Sequence, residues 1–150
     1  MISVARYKLG KGSLGVLTTC DLRLQVIAYA AIGTTLFDFS VEEGHRGQLD
    51  QDADFAAGRS KLKWPDGKHN KFPSLAVHFV PYPAIYPDKT DTPAMMSRKL
   101  GKFYMLAGHI LQTAQQLNIT LRWGGDWDHD FDFRDQSFDD LGHYEIVEVT

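Results

Sequence analysis

The longest regular pattern in the chain runs from Thr92 to Leu117, where apolar residues at 95, 96, 100, 103, 106, 107, 110, 111, 114 and 117 recur at helical spacing. A helix of that length is about as long as a small domain is wide, so it has to lie across a sheet that buries its apolar stripe. The rest of the chain offers such a sheet. Leu36 to Val41 alternates with period two, and Leu75 to Val80 is a short apolar run closed by Pro81-Tyr82-Pro83. Ile119 to Trp123 reads as a third strand and Ile146 to Val149 as the last.

Two further helices are predicted. One spans Asp21 to Ile32, with Asp21 as cap and Gly33 as stop, and the other spans Gln48 to Ala57, ended by Gly58. Tyr7 to Leu17, rich in Gly and Lys, reads as an opening loop. Arg59 to Asn70, with Pro65, Asp66 and Gly67 close together, reads as a connecting loop. Helices and strands in this order predict an α+β fold, a small and mostly antiparallel sheet packed against three helices. The 150 residues suit a single domain, 1–150, able to bury roughly two-thirds of its unfolded surface without covalent staples.

Composition removes several classes. The lone Cys20 excludes an internal disulfide. No apolar run approaches the ~20 residues needed to span a bilayer. Ser13 to Cys20 is too short for an export signal, and Asp21 and Arg23 interrupt its continuation. Residues 126–140 hold seven Asp against Arg134 alone, a charge of −6 that leaves +3 on the rest of the chain. No Lys/Arg cluster points to nucleic acid.

Chemistry concentrates in the histidines at 45, 69, 78, 109, 129 and 143. A catalytic zinc takes three protein ligands and leaves one position open, and its donors sit at strand ends or in adjoining loops. His69, His78 and His143 have that placing. His109 lies between apolar neighbours in the long helix and reads as a satisfied core or groove residue; His45 and His129 read as solvated loop residues. Asp140 stands three residues before His143, as an acid/base beside a ligand would. Asp126-Trp127-Asp128-His129-Asp130-Phe131-Asp132 spaces carboxylates like the start of a calcium loop, but the Gly and Glu of such a loop are missing and a solvated loop is expected. Trp123, Trp127, Phe131 and Phe133 are expected to pack that loop on the core.

Several short pieces recur together: Tyr7-Lys8-Leu9-Gly10 with Ser13; Phe37-Asp38-Phe39 running to Glu43-Gly44-His45-Arg46; Gly58-Arg59-Ser60-Lys61; Lys68-His69-Asn70 with Pro73-Ser74-Leu75-Ala76-Val77 and Pro81-Tyr82-Pro83; Leu121-Arg122-Trp123-Gly124-Gly125-Asp126-Trp127; and Asp140-Leu141-Gly142-His143-Tyr144-Glu145. From end to end the chain resembles the phage L-alanyl-D-glutamate endopeptidases, zinc enzymes related to D-alanyl-D-alanine carboxypeptidases. The resemblance implies a zinc site with His69 and His143 as ligands, Asp140 as general base, and Arg46 holding a substrate carboxylate or carbonyl oxygen. It also implies the peptide stem of bacterial peptidoglycan as substrate. A monomer without a signal sequence would be made in the host cytoplasm and meet the wall after the inner membrane is permeabilised.

One position departs from the family pattern. Where the family has a zinc-ligating Asp, this chain has His78. Either three imidazoles bind the metal, with His78 Nδ1 taking the place of a carboxylate oxygen, or His78 points elsewhere and activity is reduced or lost. Three neutral imidazoles would release metal as pH falls below about 6.5. Gly67, where the family often has Ser, is a second departure and touches loop contacts only. A carboxypeptidase releasing D-Ala, and a non-catalytic zinc- or wall-binding module, stay open as alternatives.

Overall fold

The computed structural model describes residues 5–149. Helices α1 (Lys11–Leu17), α2 (Leu22–Thr34), α3 (Gln48–Ala56) and α4 (Pro93–Gln116) accompany strands β1 (Phe39–Glu43), β2 (Ala76–Pro81), β3 (Leu121–Gly124) and β4 (Asp140–Ile146). Short 3-10 turns cover Lys68–Asn70 and Phe133–Asp135. The strands form one sheet in the order β1-β2-β4-β3, every neighbouring pair antiparallel. This is the α+β architecture expected, with four helices in place of three.

Register gives the sheet two different faces. Val41 pairs with Phe79, Val77 with Tyr144, and Leu121 with Ile146, and these side chains join Trp123 in the buried core. Helix α4 covers that face and α2 packs against α4, its apolar residues joining the same core. His109 on α4 ties the two together: its Nε2 must donate to the Ala31 carbonyl at 2.8 Å, because a carbonyl can only accept. Thr92 caps α4 by accepting from Met95 N at 3.2 Å, and Pro93 occupies the first turn, where its missing N–H costs nothing. The opposite face carries His78, His143, Glu145 and Arg122, and the site is built there.

Four boundaries differ from expectation. The stretch 11–17 is a helix despite Gly12 and Gly15, because packing against β1 overrides weak propensity: Leu17 is buried and Ser13 Oγ accepts from Val41 N at 2.9 Å. Helix α2 continues through Gly33, around which there is open space. Strand β1 begins at Phe39, and Leu36 is left exposed. Strand β4 begins at Asp140, so the Asp140 to His143 pair lies within the strand and not ahead of it. Cys20 is buried, and burial pushes its thiol up to about 11, as befits an idle core cysteine.

Candidate metal centre and its cleft

Antiparallel register places His78 directly opposite His143 on the same face of β2 and β4. His69 arrives from the 3-10 turn ahead of β2. That turn is fixed by Asn70, whose Oδ1 accepts from Gly67 N at 2.9 Å, and by Arg46 N donating to the His69 carbonyl at 2.8 Å. The three rings stand edge to face with centroids 4.9, 5.0 and 5.5 Å apart, and each offers a ligand atom within 4.8 Å of the others.

The hydrogen bonds determine which ring nitrogens are free. His69 Nδ1 lies 2.7 Å from the Gly44 carbonyl, so Nδ1 carries the proton and Nε2 is a bare lone pair. His143 Nε2 lies 3.2 Å from Glu145 Oε1. Burial alone would raise the Glu145 carboxyl, but the bond to His143 and the Arg122 guanidinium outweigh it and hold the group below its usual range. The carboxylate is therefore the acceptor, and His143 Nδ1 is the bare nitrogen. These two lone pairs, His69 Nε2 and His143 Nδ1, face each other at 3.2 Å. Two acceptors cannot bond each other; a cation between them resolves the contact. Nitrogens bound at ~2.0–2.1 Å to a tetrahedral zinc stand about 3.3 Å apart, which matches the observed separation.

His78 completes the group. Its Nε2 is buried without a hydrogen-bond partner, since Asp140 Oδ2, at 3.6 Å, is beyond bonding distance. Its Nδ1 faces Glu43 Oε2, also at 3.6 Å. Neither ring nitrogen of His78 is hydrogen-bonded to a carboxylate, and Nε2 is the buried one left without a partner. An orphaned buried nitrogen beside two opposed lone pairs fits the donor set of a metal site. Burial first, then the neighbouring imidazoles, hold the protonation of His69 well below its ordinary range. Burial likewise lowers His78, against the pull of Asp140.

Beside His69 and His143 opens a cleft of about 610 Å³, bounded by Gln51 and residues 59–62 on one side and Trp127 and residues 135–138 on the other. Lys61 Nζ lies over the Phe138 ring at 4.8 Å and links the two walls. Asp140 reaches the floor because Gly124 is its register partner: a Cβ at Gly124 would run into the Asp140 carbonyl oxygen. Arg46 also lines the cleft, tied down by neighbours on its own side. Its Nε donates to Glu43, and its Nη1 donates to Gln51 Oε1 at 3.1 Å and lies 3.3 Å from Asp54 Oδ2.

Gln51, unnoticed in the sequence, is the hub of this wall. Only 1% exposed, it donates through Nε2 to Ser60 Oγ and the Leu62 carbonyl, and its Oε1 accepts from Arg46 and Asn70. Gln51→Ala would take one acceptor from Arg46 Nη1 and one from Asn70 Nδ2, which keep Asp54 and the Arg46 carbonyl. With four hydrogen bonds lost at about 0.5–1.5 kcal/mol each, a loss of about 2–3 kcal/mol is expected, read as a lower urea midpoint at unchanged slope.

The remaining histidines and the acidic loop stand apart. His45 packs its ring edge-on against Phe72, and His129 is exposed. Asp126, Asp128 and Asp130 approach one another, but buried Asp126 is engaged as a turn staple, accepting from Asp130 N and Phe131 N at 3.2 Å each. Trp123 and Phe133 pack on Tyr104 as expected, and Trp127 lies over His143 with ring centroids 5.3 Å apart. Phe131 does not join them: at 60% exposure, with φ of 64°, it points outward from the loop.

Comparison with known proteins follows the same lines. A family model described as phage L-alanyl-D-glutamate peptidase matches residues 5–147. The chain is 31% identical over 144 residues to the L-alanyl-D-glutamate peptidase of Escherichia phage T5, an alignment covering 94% of this chain and 98% of that protein. The crystal structure of the Serratia marcescens L-Ala D-Glu endopeptidase ChiX superposes with a TM-score of 0.70 at 20% identity, over 95% of this chain and 92% of that one, and shares the fold.

Proposed function

Since the chain belongs to the phage L-alanyl-D-glutamate peptidase family, we propose that it is a single-domain, monomeric zinc endopeptidase that cleaves the L-Ala–D-Glu bond in the peptide stem of bacterial peptidoglycan. The observation that carries this reading is the convergence of His69 Nε2, His143 Nδ1 and the unpartnered His78 Nε2, with His69, His143 and Asp140 lining a peptide-sized cleft. Zinc held by His69, His78 and His143 would supply the Lewis acidity that polarises the scissile carbonyl and acidifies water.

The chain's own residues supply the rest. Asp140 accepts a proton from the water that adds to the carbonyl carbon, and returns it to the amine nitrogen of D-Glu as the C–N bond breaks. Arg46 Nη2, without a protein partner among the described residues, is the nitrogen left to grip a substrate oxygen. Trp127 shields His143 from solvent on the open side. No helix among the described residues is long and apolar enough to cross a membrane.

Digestion of purified muropeptides with the zinc-loaded protein should yield fragments with a new N-terminal D-Glu by mass spectrometry. Release of free D-Ala in its place would make the protein a carboxypeptidase. Stems left intact in the presence of zinc would refute cleavage altogether.

A further inference from the structure

We propose that Glu43 is the positioning residue that makes a histidine workable at position 78: its carboxylate holds the Nδ1–H of His78, fixing the tautomer that turns Nε2 toward the metal. This rests on the reading of the three histidines as a metal site.

The geometry of β1 points to this role. Phe39 pairs with Pro81, Ser40 with Val80 and Val41 with Phe79, so unbroken register would set Glu43 opposite Val77, on the core face. A bulge between Val41 and Glu43 shifts the pairing by one residue and sets Glu43 opposite His78 instead. One slipped residue exchanges the faces of a strand, and bulges re-aim side chains in this way. The carboxylate then divides its two oxygens. Oε1 accepts from Arg46 Nε, and Oε2 stands 3.6 Å from His78 Nδ1.

The other two imidazoles obey the same rule. His69 has Gly44 O on its non-ligating nitrogen and His143 has Glu145 Oε1; Glu43 Oε2, 3.6 Å from His78 Nδ1, is the carboxylate placed to close on the third ring by a small rotation. Such outer partners fix ring orientation and tautomer and raise ligand basicity. They also answer a charge question that His78 raises. Three neutral imidazoles bring no negative charge to a divalent cation, and Glu43 and Glu145 place two carboxylates one ring away. Glu43 further couples the metal centre to Arg46, since one side chain holds both.

The test is the zinc dissociation constant, measured by competition with a chromophoric chelator, for four proteins: wild type, Glu43→Gln, His78→Asp and the double variant. Glu43→Gln is expected to weaken zinc by about 10–100-fold in the wild-type background. With Asp at position 78 there is no ring to orient, and the same exchange should change affinity by less than about threefold. Long-range 15N–1H spectra of the zinc-loaded proteins give a second readout, independent of His78→Asp: His78 should appear as the Nδ1–H tautomer in wild type, with that proton's signal lost to exchange in Glu43→Gln. Loss of Arg46 placement alone would raise KM without moving zinc affinity. Wild type that binds zinc with an affinity unchanged by Glu43→Gln overturns the inference, and so does equal weakening in both backgrounds. A wild type that holds no zinc removes the metal site itself, and the inference with it.

Discussion

Asp140→Asn is expected to slow cleavage of the peptide stem by about 10²–10⁴-fold, while the protein stays folded and retains zinc. Asn keeps the size and planarity of the side chain and can still accept a hydrogen bond, so strand β4 and its pairing with Gly124 are undisturbed. What is lost is the ability to take a proton from water and deliver it to the leaving amine. Because that interaction exists only as the bonds change, kcat and kcat/KM should fall together. Asp140 Oδ2 lies 3.6 Å from His78 Nε2, beside the three imidazoles, so zinc content has to be read together with activity. Steady-state kinetics on muropeptides, with zinc content measured on the same samples, checks both halves. A variant that cleaves at the wild-type rate would remove Asp140 as the base; one that loses its zinc would make it a ligand.

Which parts of this site the sequence discloses follows from the range of the interactions involved. Helix α4 and strand β2 are legible because their burial is periodic, and a period needs only local residues to be seen. His69 and His143 are legible through short motifs around them. Strand β4 begins six residues earlier than its apolar tail suggests, because His143 and Glu145 face the cleft and interrupt the hydrophobic pattern of the strand with functional groups. Glu43 is hidden for a related reason. Its position depends on a bulge in the pairing with β2, and no residue of β1 announces that bulge. Gln51 sits among Asp50, Asp52 and Asp54 on a helix that reads as polar, and its burial arises only when the 59–62 segment folds over it. The surroundings of His78 are the least local of all, since Glu43 comes from β1 and Asp140 from β4, one on each side of the ring.

Metal-free protein should lose stability on acidification over a window set by His69 and His78. Burial holds the folded-state pKa of both imidazoles below the ordinary value, that of His69 well below. The unfolded chain, with imidazoles near 6.5, then binds more protons than the folded one once pH drops beneath that value, and protons favour the state that binds them. Stability is therefore fully present above about pH 6.5 and falls as pH moves down toward the folded-state values. The limiting slope is about 1.4 kcal/mol per pH unit for each group, so the two together should remove about 2 kcal/mol between pH 7.5 and 5.5. For a chain of this size that is a drop in Tm of about 4–8 °C. His69→Gln should abolish much of this slope. Zinc acts in the opposite sense: at a free concentration of 100 Kd it adds about 2.7 kcal/mol, or about 5–10 °C, which a chelator removes. The same lowered values change the expectation drawn from free imidazole. Because the fold keeps His69 and His78 neutral, proton competition at these two ligands begins below pH 6.5, and zinc should persist in the folded protein under mildly acidic conditions. Melting curves at half-unit pH intervals, with and without chelator, test both effects at once; a metal-free protein with the same Tm at pH 7.5 and 5.5 would show that the two rings are not held neutral by the fold.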